Sequence, residues 1–109
     1  MERIKIKPLS INDAWKGRRF KSKKYKVYEA GLMFKLNKIR ISVPDGKLSL
    51  SVIVGFSSNA SDIDNILKPF IDVLQKKYLF DDKRIFRIHI EKTIVPKGKE
   101  FIEFEIKSY

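Results

Sequence analysis

Apolar residues recur along this chain in two rhythms, a period of two and a period of three to four, and the changes between them mark its elements. Ile4 and Ile6 alternate with Arg3, Lys5 and Lys7, which predicts a half-buried strand over residues 2–7 that Pro8 closes. From Lys23 to Lys38 the period lengthens, so that Tyr25, Tyr28, Leu32, Leu36 and Ile39 share one helical face behind Ser22 as the N-cap. Gly31 inside that stretch costs a helix about 1 kcal/mol relative to alanine. After a turn at Pro44, Asp45 and Gly46, the residues Leu48, Leu50, Val52 and Val54 alternate with Ser49, Ser51 and Ile53 in a strand running to Phe56. Its apolar content rises toward the end, as in a central strand.

A second helix is expected from Asn65 or Ile66 to Tyr78. Pro69 fixes its start, because proline is tolerated in the first turn and disruptive deeper inside. Its stripe is Ile66, Phe70, Val73, Leu74 and the stem of Lys77, with Ile71 and Tyr78 beside it. Residues Ile85 to Val95 read as a long strand, with Phe86, Ile88 and Ile90 on one face and Arg87, His89 and Glu91 on the other. The turn PKGK leads to a last strand from Phe101 to Lys107, with Ile102, Phe104 and Ile106 inward, and these two strands are expected to pair as an antiparallel hairpin. The order β-α-β-α-β-β gives an α+β single domain, a mixed four-stranded sheet packed with two helices.

Composition narrows the partners. The 109 residues allow one core, and 24 Lys and Arg against 13 Asp and Glu leave a formal charge of +11, which points to a polyanion, nucleic acid first. Seven of the cations lie between Lys16 and Lys26 with no acid among them. Lys16, Arg18, Arg19, Lys21, Lys23 and Lys24 are the candidate phosphate contacts. Trp15 and Phe20 flank that loop. Trp15 suits base stacking and core cover equally, whereas Phe20 is expected in the core. With no cysteine there is neither disulfide nor thiolate metal site, and no apolar run reaches the 18 or so residues of a membrane span. The N-terminus MERIKIKPLS lacks the apolar core of a signal peptide, so a soluble cytoplasmic protein is expected. There is no Gly-rich phosphate loop, internal repeat or helix-turn-helix signature, which excludes Walker-type nucleotide hydrolysis.

Against this cationic background the acids are concentrated. Five of the seven aspartates fall in SDIDNILKPFIDVLQKKYLFDDK, at Asp62, Asp64, Asp72, Asp81 and Asp82. Crowded carboxylates repel unless a cation neutralises them. An extended lead-in at Asp62, Ile63 and Asp64 would turn both carboxylates to one side, with Asp64 or Asn65 as N-cap, and Asp81 and Asp82 return one helix later. Oxygen donors of this kind suit a hard divalent cation, Mg²⁺ in the first place. Lys68, one turn past Asp64, can steady a phosphate beside it. Any one of these aspartates alone is more often a cap or a turn than a catalyst. The combination D-x-D-N-x-x-K with a later D-D is far more specific. His89, the single histidine, lies on a strand's polar face and reads as a surface residue.

That combination, Asp62, Asp64, Asn65, Lys68, Asp72 and the pair Asp81 and Asp82, resembles the RusA-type Holliday junction resolvases, small endonucleases common in phages and prophages. The segment PLSINDAWKGRRFKSKKYKVYE is similar to that family's N-terminal entry and basic loop. The resemblance implies that Asp62, Asp64 and Asp82 hold one or two Mg²⁺ ions, with Asp81 the other candidate for the third position, and that Lys68 is the catalytic-site lysine. Asp72 matches a recurrent position without an assigned role. It further implies a homodimer that cuts branched, four-way DNA in recombination and repair. The competing expectations are a non-catalytic nucleic-acid-binding module and a related nuclease acting on flaps or forks.

Overall fold

The computed structural model describes residues 1–16 and 20–109, the Lys16 side chain excepted. Its centre is strand β4 (Leu48–Phe56), where Leu48, Leu50, Val52, Val54 and Phe56 are buried and Ser49, Ser51 and Ile53 face the other way. A strand with so apolar an inner face is most stable with a neighbour on each side. Taking β1 as Glu2–Ile4, β5 as Ile85–Ile94 and β6 as Phe101–Ser108, the sheet order is β1-β6-β4-β5. β6 runs antiparallel to both β1 and β4, and β5 runs parallel to β4.

The expected β5–β6 hairpin is therefore wrong. The local turn does form, with the Lys99 amide donating to the Pro96 carbonyl at 2.9 Å and Gly98 at φ +90°. Instead of joining neighbours, it carries the chain over the end of β4, where the Val95 amide donates to the Phe56 carbonyl at 2.7 Å. β5 takes the edge because its residues are mostly exposed, and Arg87, His89, Glu91 and Lys92 supply the charge that keeps an edge from recruiting other strands.

Two helices cover the sheet. In α2 (Lys23–Leu36) the expected stripe Tyr25, Tyr28, Leu32 and Leu36 is buried, and the Ser22 hydroxyl accepts from the Tyr25 amide at 3.0 Å as the cap. In α3 (Leu67–Tyr78) Phe70, Ile71, Val73 and Leu74 are buried, and Pro69 lies in the first turn. Phe70 meets Phe104 of β6 edge to face at 5.5 Å, an arrangement that adds about 1 kcal/mol to the burial itself. β1 ends at Ile4, three residues short of the expectation, and α2 stops at Leu36.

The loop between β1 and α2 holds structure that the apolar pattern did not announce. A short helix α1 (Ile11–Ala14) is capped by Ser10, and β2 (Trp15–Lys16) pairs with β3 (Phe20–Lys21) as a small antiparallel ribbon. Phe20 is not in the core: it is 72 % exposed, because the ribbon projects its side chain away from the body. Trp15 is 37 % exposed and packs edge-on against Tyr25, with ring centroids 5.8 Å apart.

Candidate active site

β4 delivers the chain to the first two candidate aspartates, but the backbone between them is not extended. Ile63 is in the right-handed helical region at φ −62° and ψ −37°, and Asp64–Ile66 form a 3₁₀ turn that runs straight into α3. Pro69 explains the tight lead-in, since its ring excludes the ordinary hydrogen bond to the carbonyl four residues back. Neither Asp64 nor Asn65 caps α3 with its side chain. Asn65 instead donates through Nδ2 to Asp62 Oδ2 at 3.2 Å and fixes that carboxylate. Asp62 and Asn65 line a cleft of about 380 Å³ whose opposite wall includes Pro8, Ser10 and Asn12. The two sequence motifs, some fifty residues apart, thus face each other across one cleft.

The second acidic pair is built at the far end of α3. Leu79 leaves the helix in the left-handed region at φ 55°, Phe80 is buried as an anchor, and a 3₁₀ turn follows at Asp82–Arg84. The neighbouring carboxyls have different jobs. Asp81 caps that turn, accepting from the Lys83 amide at 2.9 Å, and this bond, with Asp82 beside it, holds its carboxyl below the ordinary range. Arg84 clamps the turn from below, donating to the carbonyls of Gly46 and Pro44.

One face of α3 links this turn to the lysine. Lys68 Nζ lies 2.9 Å from Asp72 Oδ1, an i,i+4 pair, so its partner is Asp72 and not Asp64. The hydrogen bond that Lys68 donates to Asp72 raises the lysine's pKa, and the charge of Asp82 acts in the same direction. Gln75 completes the row. Its Oε1 accepts from the Asp82 amide at 2.9 Å, and its Nε2 is 3.5 Å from Asp72. Tyr25 reaches Asp72 from α2 at 3.4 Å, and burial, with Asp72 and Glu29 nearby, pushes its phenol up to about 12, so it is a permanent donor at neutral pH. Asp72 thereby gains a role: it receives Lys68, Tyr25 and Gln75 together. Gln75 escaped the sequence reading and Tyr25 entered it only as a core residue, although the spacing of Lys68, Asp72 and Gln75 at i, i+4 and i+7 was a visible signal.

The basic candidates divide. Lys21 is held by Glu29 at 3.0 Å, and Lys76 of α3 reaches the same carboxylate at 2.8 Å, so Glu29 staples the ribbon to both helices. Burial works against that carboxylate, but the hydrogen bonds from Lys76 and Lys21 outweigh it and leave its pKa below the ordinary value. Lys23 and Lys24 are exposed in the first turn of α2. Arg18, Arg19 and the Lys16 side chain lie outside the described residues. His89 is exposed on β5, 3.1 Å from Glu91, as expected of a surface residue.

The fold therefore gathers two groups, Lys68, Asp72, Gln75 and the Asp82 turn along α3, and Asp62 with Pro8, Ser10 and Asn12 around the cleft, with exposed Asp64 at the head of α3. Among the described residues, no group of three or more His, Cys, Asp or Glu side chains is close enough to hold a metal ion unaided. No helix among them is long and apolar enough to cross a membrane. A family model described as endodeoxyribonuclease RusA matches residues 9–106, nearly the whole chain. No curated protein matches the chain.

Proposed function

The chain belongs to the RusA endodeoxyribonuclease family, and from that premise we propose that it resolves four-way DNA junctions by Mg²⁺-dependent hydrolysis as a two-fold homodimer. The observation that carries this reading is the extent of the family match, which takes in both the Asp62 cleft and the row from Lys68 to Asp82.

Asp62, Asp64 and Asp82 are the residues that would hold the metal, and their donor chemistry fits it. All are carboxylates exposed to solvent on a cationic protein. Magnesium usually keeps several waters and takes only one or two carboxylates beside substrate phosphates, so it does not require a preformed cage of three. When bound, it supplies an acidified water and positive charge at the scissile phosphate. The protein's own contribution is placement. Lys68, kept protonated by Asp72, would bring a fixed cation to the same phosphate and offset the charge that builds as water attacks phosphorus and the P–O bond to the leaving oxygen breaks. Asp81 is left as the cap that shapes the turn. The basic loop, Lys16, Arg18, Arg19, Lys21, Lys23 and Lys24, would hold the phosphates of the arms, selecting branch geometry over base sequence. A junction of near two-fold symmetry calls for two cuts, which a two-fold dimer with one site per subunit provides.

The test is cleavage of four-way, three-way, flap and linear DNA side by side, with Mg²⁺ and with a chelator. Resolution of the four-way substrate in Mg²⁺ alone is the expected result. Preferential cutting of flaps would reassign the substrate, and cleavage of none would reduce the chain to a DNA binder.

A further inference from the structure

Beside the Asp62 cleft lies a larger concavity of about 570 Å³, between the segment after β1 and the outer face of α2. Its α2 wall is the stripe Lys23, Val27, Gly31 and Lys35, spaced by four, so the groove runs for about 18 Å along the helix. The facing wall is Ile6, Pro8 and Leu9. Val27 is 68 % exposed in it, and a Cβ placed on Gly31 would meet nothing within 4 Å. A glycine inside a helix is unfavourable, and here its effect is to keep the groove open. Tyr28 contributes to the wall, and its hydroxyl is buried without a hydrogen-bond partner.

Charge decides what such a groove takes. Exposed Lys7, Lys23, Lys24 and Lys35 surround an apolar floor, against a single carboxylate, Asp13. Cations along a rim over an apolar trough match a strand of nucleic acid whose bases are unstacked and lie inward while its phosphates lie on the lysines. Lys7, Pro8 and Asp13 line both the groove and the Asp62 cleft, so the two adjoin. We propose that this groove is a binding site for unpaired nucleotides, receiving the strand that leaves the carboxylate cleft. The proposal deepens the nuclease reading, on which it rests for its substrate.

The test uses the full chain without Mg²⁺ and a labelled short oligothymidylate, with a blunt duplex of equal length as comparison. Gly31→Leu fills the trough and Val27→Glu places a carboxylate in it; neither position touches the core, and Gly31→Ala serves as the small control. The expected result is oligothymidylate affinity about tenfold weaker for Gly31→Leu and for Val27→Glu, with Gly31→Ala and all duplex affinities within about twofold of wild type and melting temperatures maintained. Wild-type failure to bind oligothymidylate, binding undiminished in both filled variants, or an equal loss on duplex would overturn the proposal. The two readings fail separately. A chain that binds oligothymidylate through the groove but cuts no DNA in Mg²⁺ refutes the nuclease, whereas a chain that resolves junctions but is indifferent to Gly31→Leu and Val27→Glu refutes only the groove.

Discussion

Replacing Gln75 by leucine separates the positioning of Asp82 from the stability of the fold. The side chain makes one good hydrogen bond, from the Asp82 amide at 2.9 Å, and one at the limit of useful geometry, to Asp72 at 3.5 Å. Losing the first costs about 1 kcal/mol net and the second adds little. A domain of this size would then melt about 4 °C lower and remain almost wholly folded at room temperature. The chemical consequence is larger. The Asp82 turn would keep its Arg84 clamp but lose its tie to the helix that carries Lys68, and a displacement of about 1 Å between reacting groups costs on the order of 100-fold in rate. The assay is single-turnover cleavage of four-way DNA at saturating protein, well below the melting temperature, with junction affinity measured alongside. A rate about 100-fold lower with affinity nearly unchanged is expected. Gln75→Glu, which keeps an acceptor for the Asp82 amide, should retain more of the rate. If Gln75→Leu cuts within about twofold of wild type, the row from Lys68 to Asp82 does not position the chemistry.

Asp62→Asn and Asp64→Asn are each expected to abolish cleavage while leaving junction binding equal or tighter, since a negative charge is removed beside phosphates; gel-shift and cleavage assays on the same preparations decide it. Gly55→Ala should destabilise by about 1–3 kcal/mol, because a Cβ there would come 2.5 Å from the Phe101 ring, which is itself held under the Arg3 guanidinium at 4.0 Å. Thermal melting would show a drop of several degrees, and an unchanged transition would mean that the ring moves freely. Glu29, whose pKa is lowered in the fold, contributes stability that is full above the ordinary glutamate value of about 4.3 and is lost as pH falls through its folded value. Urea midpoints measured between about pH 6 and pH 3 should therefore fall more steeply for wild type than for Glu29→Gln.

Where the side-chain pattern alone determines structure, the sequence was a reliable guide. The bounds of β4, the Ser22 cap, Pro69 in the first turn and the inward set Ile102, Phe104 and Ile106 all follow from periodicity and local chemistry. The errors came where a distant segment intervened. The PKGK turn was real, but nothing local to it reveals that β4 lies between the strands it joins, a gap of two strand spacings or about 9.6 Å. Phe20 was assigned inward on hydrophobicity, although its side chain on the ribbon is turned to solvent. In the candidate site, the residue types and spacings of Asp62, Asp64, Lys68 and Asp82 were readable; the partner of Lys68 was not, because a helix offers it carboxylates both one turn back and one turn ahead. The helical backbone at Ile63 was likewise hidden, since proline's preference for a first turn does not say how the chain enters it.

The place of β6 between β1 and β4 has a consequence for how the molecule comes into being. On a ribosome, β1, α2, β4 and α3 all emerge before the strand that joins the sheet's two halves, and until Phe101 to Ser108 follow, the buried stripes of both helices face an unfinished floor. Folding of this sheet is thus held back until β6 has emerged, and a chain broken off before Phe101 is a sticky fragment for proteolysis instead of a weakened enzyme.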